Sequence, residues 1–284
     1  MAYDFLRRTA LAVFLAAAAM PPAATLAQID PEIADWGDPA KLEAAIATYN
    51  AWPDAQQARA VGGVIGQMAG MFRLYPERLD AWLAVIDDDR IETFATFALT
   101  FAGDPRRAVE FAAERGIGTD NVLSVLFFSG GEQFPDTAGL APDISPSEIF
   151  DELGPLETMP QNLGWHQDVL WGAALAMRDG KIAARILARM DGLFDTYGIE
   201  AGTVPLQERL DAGEFDAARA VIAAREGRAA ASEYVYGLNY AAAGGRLFAF
   251  GGRPPFIAEA FDAYAGDHPD SEAVKEVLLH GEPR

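Results

Sequence analysis

The stretch DAGEFDAARAVIAAREG, residues 211–227, decides the fold class of this chain. Phe215, Ala218 and Ile222 follow one another at i, i+3 and i+7, which places them on one face of an α-helix that begins just after Gly213. Alanine has the highest helix propensity of all residues. Because its side chain is short, a face that carries alanine lets a neighbouring helix approach closely. The stretch therefore predicts helices packed on helices.

Helical spacing continues on both sides of this stretch. Apolar residues at i, i+3, i+4 and i+7 occupy 79–86 and 257–264, and a longer apolar stripe occupies 182–194. The two strand candidates, 122–128 and 247–250, are short and alternate poorly between apolar and polar residues. We therefore predict an all-α fold, arranged as an array of helical hairpins or as a right-handed stack similar to an α-solenoid.

Four dipeptides predict where helices begin. Each places a capping side chain before a proline, which suits the first helical position because its missing N–H would have no partner there. They are Asp30-Pro31, Asp38-Pro39, Asp104-Pro105 and Ser145-Pro146. Glu148 stands three residues after Ser145 and completes a capping box at the last of them.

A degenerate internal repeat spans about residues 165–225. An Ala-Arg pair occurs at 184–185 and again 34 residues later, and Gly172 precedes the first pair by twelve positions, with Trp171 beside it. This pattern resembles the tetratricopeptide-like repeats, in which small residues on successive helices have this spacing, although Arg225 departs from it. The resemblance implies stacked helix pairs that act as a scaffold for protein binding.

The first 27 residues are predicted to be a secretory signal peptide. Arg7 and Arg8 form a basic start, residues 9–20 form an apolar segment, and residues 25–27 offer a cleavage site. The apolar segment is too short to span a bilayer, which argues against the alternative of an N-terminal membrane anchor. We therefore expect a periplasmic or secreted protein whose mature chain begins at Gln28.

Residues 129–145 predict a loop between two helical lobes. The residues that break helices here are Gly130, Gly131, Pro135, Gly139 and Pro142. A loop of this length is either functional or a linker. We place an N-terminal lobe at 28–128 and a C-terminal lobe at 146–284, with a single domain as the alternative.

The net charge limits the classes of partner. The chain carries 42 acidic and 22 basic side chains, a net charge of −20, and such a surface repels phosphate backbones and anionic headgroups. We therefore expect no nucleic-acid partner. After residue 27 no apolar segment reaches the length of a membrane span, and the chain has no cysteine for a disulfide or a thiol nucleophile.

The stretch VGGVIGQMAGMF, residues 61–72, contains Gly62, Gly66 and Gly70 at intervals of four residues. Each glycine in a helix costs about 1 kcal/mol relative to alanine, so a compensating contact is expected. Close packing against a second helix supplies one. The alternative is a helix that associates with itself or with a membrane, and we favour packing.

The stretch LGWHQDVLWG, residues 163–172, contains the best candidate for a ligand site. Trp165, Asp168 and Trp171 recur every three residues, so a helix would place them along one slowly rotating side. Two indoles with a carboxylate between them could stack on a sugar or hold a cation. The alternative, which we favour, is that both tryptophans belong to the hydrophobic core.

No motif predicts a metal, a cofactor or a catalytic centre. His166 is distant in sequence from the other two histidines, and on a helix it points away from Asp168. No zinc or calcium spacing, phosphate loop or serine-nucleophile motif occurs. A pair of carboxylates of the glycosidase type stays possible, because the chain has many acidic residues.

These observations favour an exported helical-repeat protein that acts as a scaffold or adaptor for another envelope protein. One alternative is a periplasmic protein that binds a glycan or small ligand, or an envelope hydrolase, using the helix at 165–171. Another is a structural or self-associating protein organised by Gly62, Gly66 and Gly70.

Overall fold

In a computed structural model of the protein, residues 36–52, 54–126, 145–159, 161, 164–250 and 254–280 are described. Over these residues the chain forms fourteen α-helices and one short 3-10 turn, Pro76–Arg78, and no strand. The helices are α1 (Leu42–Asn50), α2 (Asp54–Leu74), α3 (Leu79–Ala84), α4 (Asp89–Ala102), α5 (Pro105–Arg115), α6 (Thr119–Leu126), α7 (Pro146–Leu153), α8 (Gly164–Met177), α9 (Gly180–Tyr197), α10 (Leu206–Asp211), α11 (Asp216–Glu226), α12 (Arg228–Phe250), α13 (Pro255–Asp267) and α14 (Glu272–Leu279).

The all-α class is therefore confirmed. The described parts of both strand candidates are helical, since 122–126 lie in α6 and 247–250 lie in α12. The predicted signal peptide at 1–27 and residues 129–144 of the predicted loop lie outside the described residues. No helix in the described part of the chain is both long enough and apolar enough to cross a membrane.

Two predicted helix starts are confirmed by side-chain caps. The Asp104 carboxylate accepts a hydrogen bond of 3.0 Å from the backbone N–H of Arg107 at the start of α5. Ser145 and Glu148 form the predicted capping box at the start of α7, where each side chain accepts from the other residue's backbone N–H. These contacts satisfy N–H groups that the first turn of a helix leaves without a partner.

The predicted helix start at Asp38 is wrong. Its carboxylate accepts a hydrogen bond from the backbone N–H of Ala40, so it closes a turn before any helix begins. Helix α1 begins only at Leu42, and Lys41 precedes it without a side-chain cap. The dipeptide Asp30-Pro31 lies outside the described residues.

The described chain divides into two compact units, residues 36–182 and residues 183–280, and α9 crosses the division. This division differs from the lobes that the loop at 129–145 predicted, because α7 and α8 belong to the first unit. The physical reason is a long-range contact: of the described helix pairs, α2 and α8 make the most extensive contact, and α7 packs on α4 and α5. Helices after the loop thus complete the core of helices before it.

The core of the first unit is built around α2 and α4. Helix α2 packs on α4 as well as on α8, and α4 packs in turn on α5, α6 and α7. The ring of Phe97 in α4 lies edge-on to Phe150 in α7 and to Trp165 in α8, with centroids 5.8 and 5.7 Å away. Aromatic side chains therefore join three helices at one point.

In the second unit the long helix α12 packs on α10, α11 and α14. Gly237 in α12 allows α9 to come close, because a Cβ there would lie 2.6 Å from the ring of Tyr197 and 3.0 Å from Leu193. Four apolar positions of α9 are fully or almost fully buried in this unit, at Ile186, Leu187, Met190 and Phe194. The predicted stripe at 182–194 is thus the inner face of α9.

Asp191 joins three helices of the second unit. Its carboxylate accepts hydrogen bonds from the hydroxyls of Tyr264 and Ser271, both at 2.7 Å, and from the backbone N–H of Ala273 at 2.8 Å. Ser271 also caps α14 by accepting from the backbone N–H of Val274. One side chain of α9 therefore fixes α13 and the start of α14.

Candidate functional site

The glycine and tryptophan segments singled out from the sequence lie against each other. Gly62, Gly66 and Gly70 are on α2, and Trp165 and Trp171 are on α8. The two candidate sites are therefore the two sides of one helix–helix contact. The geometry of this helix–helix contact determines what each of the two candidate sites can do.

Backbone packs on backbone along this contact. A Cβ at Gly62 would lie 2.5 Å from the carbonyl oxygen of Trp165, and a Cβ at Gly66 would meet the carbonyl oxygen of Val169 and lie 2.9 Å from the backbone nitrogen of Ala173. Distances this short are repulsive, so a larger residue would push the helices apart. The close contact compensates the helix-propensity cost of the glycines.

Helix α8 contributes a glycine of its own. A Cβ at Gly172 would lie 2.6 Å from the carbonyl oxygen of Gly63 and 3.2 Å from the backbone nitrogen of Gln67. At the other end, a Cβ at Gly70 would lie 2.9 Å from the Cβ of Ala176. The glycine face of α2 is thus occupied by α8 of the same chain.

Both indoles belong to the core. Trp165 is 5% exposed and Trp171 is 1% exposed. Because neither indole presents a face to solvent, the helix does not offer a surface on which a sugar could stack. Both tryptophans thus occupy core positions, which is the alternative that we favoured from the sequence.

Asp168 differs from the indoles because it is only partly buried. Its Cβ would lie 2.5 Å from a Cβ at Gly62, so α2 crosses directly over it. Burial raises the pKa of the Asp168 carboxyl from its ordinary value of 3.8 to about 7. Such shifts occur at functional sites and also in packed cores, and here the close approach of α2 accounts for the shift.

His166 is fully buried and lies among aromatic rings. The centroid of its ring is 4.4 Å from that of Trp165 and 6.3 Å from that of Phe101, edge-on in both cases. Over the described ranges no three side chains of His, Cys, Asp or Glu come together as metal ligands.

The second unit carries a feature of another kind, the surface of α11. All eleven residues of α11 are within the described part of the chain, and none of them is buried. Val221, in the middle of the helix, is 48% exposed. A helix in a folded unit normally buries an apolar stripe, whereas α11 packs on α12 with its side chains only partly buried and leaves the side around Val221 exposed.

Arg209 holds the residues directly before α11, while Val221 in the middle of the helix is exposed. Arg209 donates to both carboxylate oxygens of Glu214, with distances of 2.6 to 3.1 Å, and to the carbonyl oxygen of Glu200 at 2.8 Å. Its guanidinium also lies 5.0 Å from the ring centre of Phe215, which directly precedes α11. At the other end, Gly227 turns the chain into α12 with a φ of 95°.

We define the outward face of α11 as Ala217, Ala218, Val221, Ala224 and Arg225. All five residues are exposed, and the helical repeat of 3.6 residues places them on one side. The opening stretch of sequence predicted a packed face that included Ala218, and this prediction is wrong for Ala218. Phe215 and Ile222 are partly buried, whereas Ala218 faces solvent.

The outward face of α11 was not predicted from the sequence. Alanines at helical spacing indicate close packing inside the fold, and they indicate equally well a surface on which another helix can pack. The exposed Val221 in the middle of an alanine-rich helix is the one residue that could have indicated it.

No matching protein-family model, curated protein or solved structure was found for this chain.

Proposed function

We propose that this protein is an exported scaffold of helical repeats that binds another envelope protein through the outward face of α11. The observation that carries this proposal is that α11 buries none of its residues and exposes Val221 at 48%. Helices that present an apolar face commonly complete their burial by packing against a partner. The repeat at 165–225, which includes most of α11, adds the resemblance to protein-binding scaffolds.

The route of export is part of the proposal. Arg7, Arg8 and the apolar segment at 9–20 support a signal peptide that is removed before Gln28. Cell fractionation followed by N-terminal sequencing tests this step. We expect Gln28 as the first residue of a periplasmic or secreted form, and recovery of a chain that retains Arg7 and Arg8 in membranes would overturn it.

The binding step is tested by photocrosslinking in living cells. We would place a photoreactive phenylalanine derivative at Val221 in one variant and at Leu278 in a second, matched variant. Leu278 is also an exposed apolar residue of the second unit, at 53% exposure, but it lies on α14. We expect the variant at Val221 to form a covalent adduct with another protein and the variant at Leu278 to lack that adduct.

The same two variants also give the results that would contradict the proposed binding surface. Absence of an adduct at Val221, or the same adducts at Val221 and Leu278, would overturn the proposed binding surface. Because both side chains are exposed, neither substitution should alter the melting temperature, which circular dichroism checks.

A further inference from the structure

We propose that the partner presents an acidic amphipathic helix to the outward face of α11. This inference rests on the proposed function and adds the chemistry of the partner to it. Three properties of the face carry the inference: its shape, its charge, and its lack of bulky apolar residues.

The shape of the face fits a helix. Ala217, Ala218 and Ala224 surround Val221 with side chains of a single methyl group, so another helix can approach α11 as closely as helices approach in cores. Arg209 holds Glu214 and Phe215, which directly precede α11. The face lies along a helix about 16 Å long, at 1.5 Å per residue for its eleven residues.

The charge of the face is positive although the chain is strongly negative. Arg225 is its single charged residue, and Arg228, the first residue of α12, is also exposed. Asp216 and Glu226 lie on the opposite side of α11 by helical periodicity. No ion pair in the described part of the chain engages Arg225 or Arg228, so both guanidinium groups are free to meet carboxylates of a partner.

Two other occupants fit this face less well. A second copy of the chain would place one outward face on another, and Arg225 of each copy would add like charge to the contact. An anionic membrane would be attracted by the arginines, but the face lacks the bulky apolar side chains that insert into a bilayer. The net charge of −20 also repels such a membrane.

The experiment uses two synthetic helical peptides as probes. Both are about 20 residues long, with the same stripe of alanine and leucine, and they differ in their flanking residues, which are glutamate in one and lysine in the other. Binding to the mature protein is measured by fluorescence anisotropy. The net charge alone predicts tighter binding of the lysine peptide, so preference for the glutamate peptide would report the local face.

We expect the glutamate peptide to bind at least tenfold more tightly than the lysine peptide. The substitution Val221→Glu should abolish this binding, and the double substitution Arg225→Glu with Arg228→Glu should weaken it at least fivefold. The matched substitution Leu278→Glu should leave it unchanged. Raising the salt concentration should weaken binding of the glutamate peptide, because exposed charges are screened.

Several results would overturn the inference. They are equal or tighter binding of the lysine peptide, binding that survives Val221→Glu, vesicle binding that depends on Arg225, and a dimer that Val221→Glu dissociates. An adduct at Val221 in cells without glutamate-peptide binding would refute the acidic helix and leave the proposed function standing. Absence of that adduct would refute the proposed function itself.

Discussion

The carbonyl oxygen of Trp165 lies where a side chain of residue 62 would begin: a Cβ on Gly62 would be only 2.5 Å from it. Two segments that are far apart in sequence thus pack backbone on backbone, because residue 62 has no side chain. The contact belongs to the most extensive helix pair among the described elements, α2 with α8.

We predict that Gly66→Ala destabilises the protein although alanine is the better helix former. The new methyl group would meet the carbonyl oxygen of Val169 and the backbone of Ala173, and overpacking of this kind costs about 1–3 kcal/mol. Urea unfolding measures the loss. Gly192→Ala in α9 is the matched control, because nothing lies within 4 Å of a Cβ there, and it should stabilise by up to about 1 kcal/mol. Equal effects of the two substitutions would contradict backbone packing at Gly66.

We predict that Trp171→Ala lowers the free energy of unfolding by about 3–5 kcal/mol, the range for emptying a buried aromatic position. The reason is that the indole is 1% exposed. Thermal unfolding measures the change, and Val221→Ala, which truncates an exposed side chain, should alter stability by less than about 0.5 kcal/mol. An intact melting temperature in the Trp171 variant would instead revive the tryptophan ligand site.

We predict that Asp168 makes the protein less stable as the pH rises towards 7. Because the pKa of this carboxyl is higher in the folded state than its ordinary 3.8, at about 7, the folded chain binds more protons between these values. The free energy of unfolding therefore falls between about pH 4 and pH 7 and is level above. The full pKa difference corresponds to a total loss of roughly 4 kcal/mol across this pH range, and partial exposure of the side chain reduces the expected total to about 2 kcal/mol.

The variant Asp168→Asn tests this slope. Urea unfolding at several pH values should show a flatter dependence in the variant than in the parent protein. Asp262→Asn, at an exposed position of α13, should leave the parent's dependence unchanged. Identical pH profiles for the parent and the Asp168 variant would show that the carboxyl is solvated in the folded state.

We predict that Asp191→Ala destabilises the second unit by about 3 kcal/mol. The substitution leaves the hydroxyls of Tyr264 and Ser271 and the N–H of Ala273 without their acceptor, and hydrogen bonds to a charged group contribute about 1.5–3 kcal/mol. Its effect and that of Ser271→Ala should be non-additive in a double-mutant cycle, since the two side chains form one network. Asp195→Ala, one turn further along α9 and exposed, serves as the control.

We predict that Arg209→Ala loosens α11. The substitution removes the contacts of the guanidinium with Glu214, Glu200 and Phe215, and two of these residues directly precede a helix that has no buried residue. Hydrogen exchange of the amides in 216–226 should therefore accelerate, while exchange in α2 stays unchanged. Lys275→Ala, which removes an exposed ion pair with Glu272 on α14, should accelerate neither segment. Unchanged exchange in α11 would show that α12 alone holds it.

The fold class could be predicted from the sequence because helical periodicity and caps are local. Spacing at i, i+3 and i+7 and a capping box at Ser145 both involve residues within two turns of each other. Local reasoning failed at Asp38, where a short carboxylate closes a turn instead of capping α1. An Asp-Pro pair can therefore cap a helix, as at Asp104, or close a turn before the helix, as at Asp38.

Pairing of elements could not be predicted, because it depends on contacts between distant segments. The glycines of α2 indicated that some helix packs closely on them, but not that it is the helix of Trp165. The loop at 129–145 suggested a division of the chain, whereas the contact of α2 with α8 extends the first unit to residue 182. The exposure of Val221 is likewise a property of the assembled unit and not of its helix.

The glycines of α2 also impose an order on folding. A helix with glycine at positions 62, 63, 66 and 70 is a poor helix by itself, at about 1 kcal/mol for each glycine, and the helix that covers the glycines is α8, which comes much later in the chain. During synthesis from the N-terminus, α4 can pack on α2 early, but the glycine face of α2 stays uncovered until residues 164–177 have emerged. Contacts of such long sequence separation slow folding, so this all-helical protein should fold more slowly than its helix content suggests, and its early chain is the part that a chaperone would need to hold.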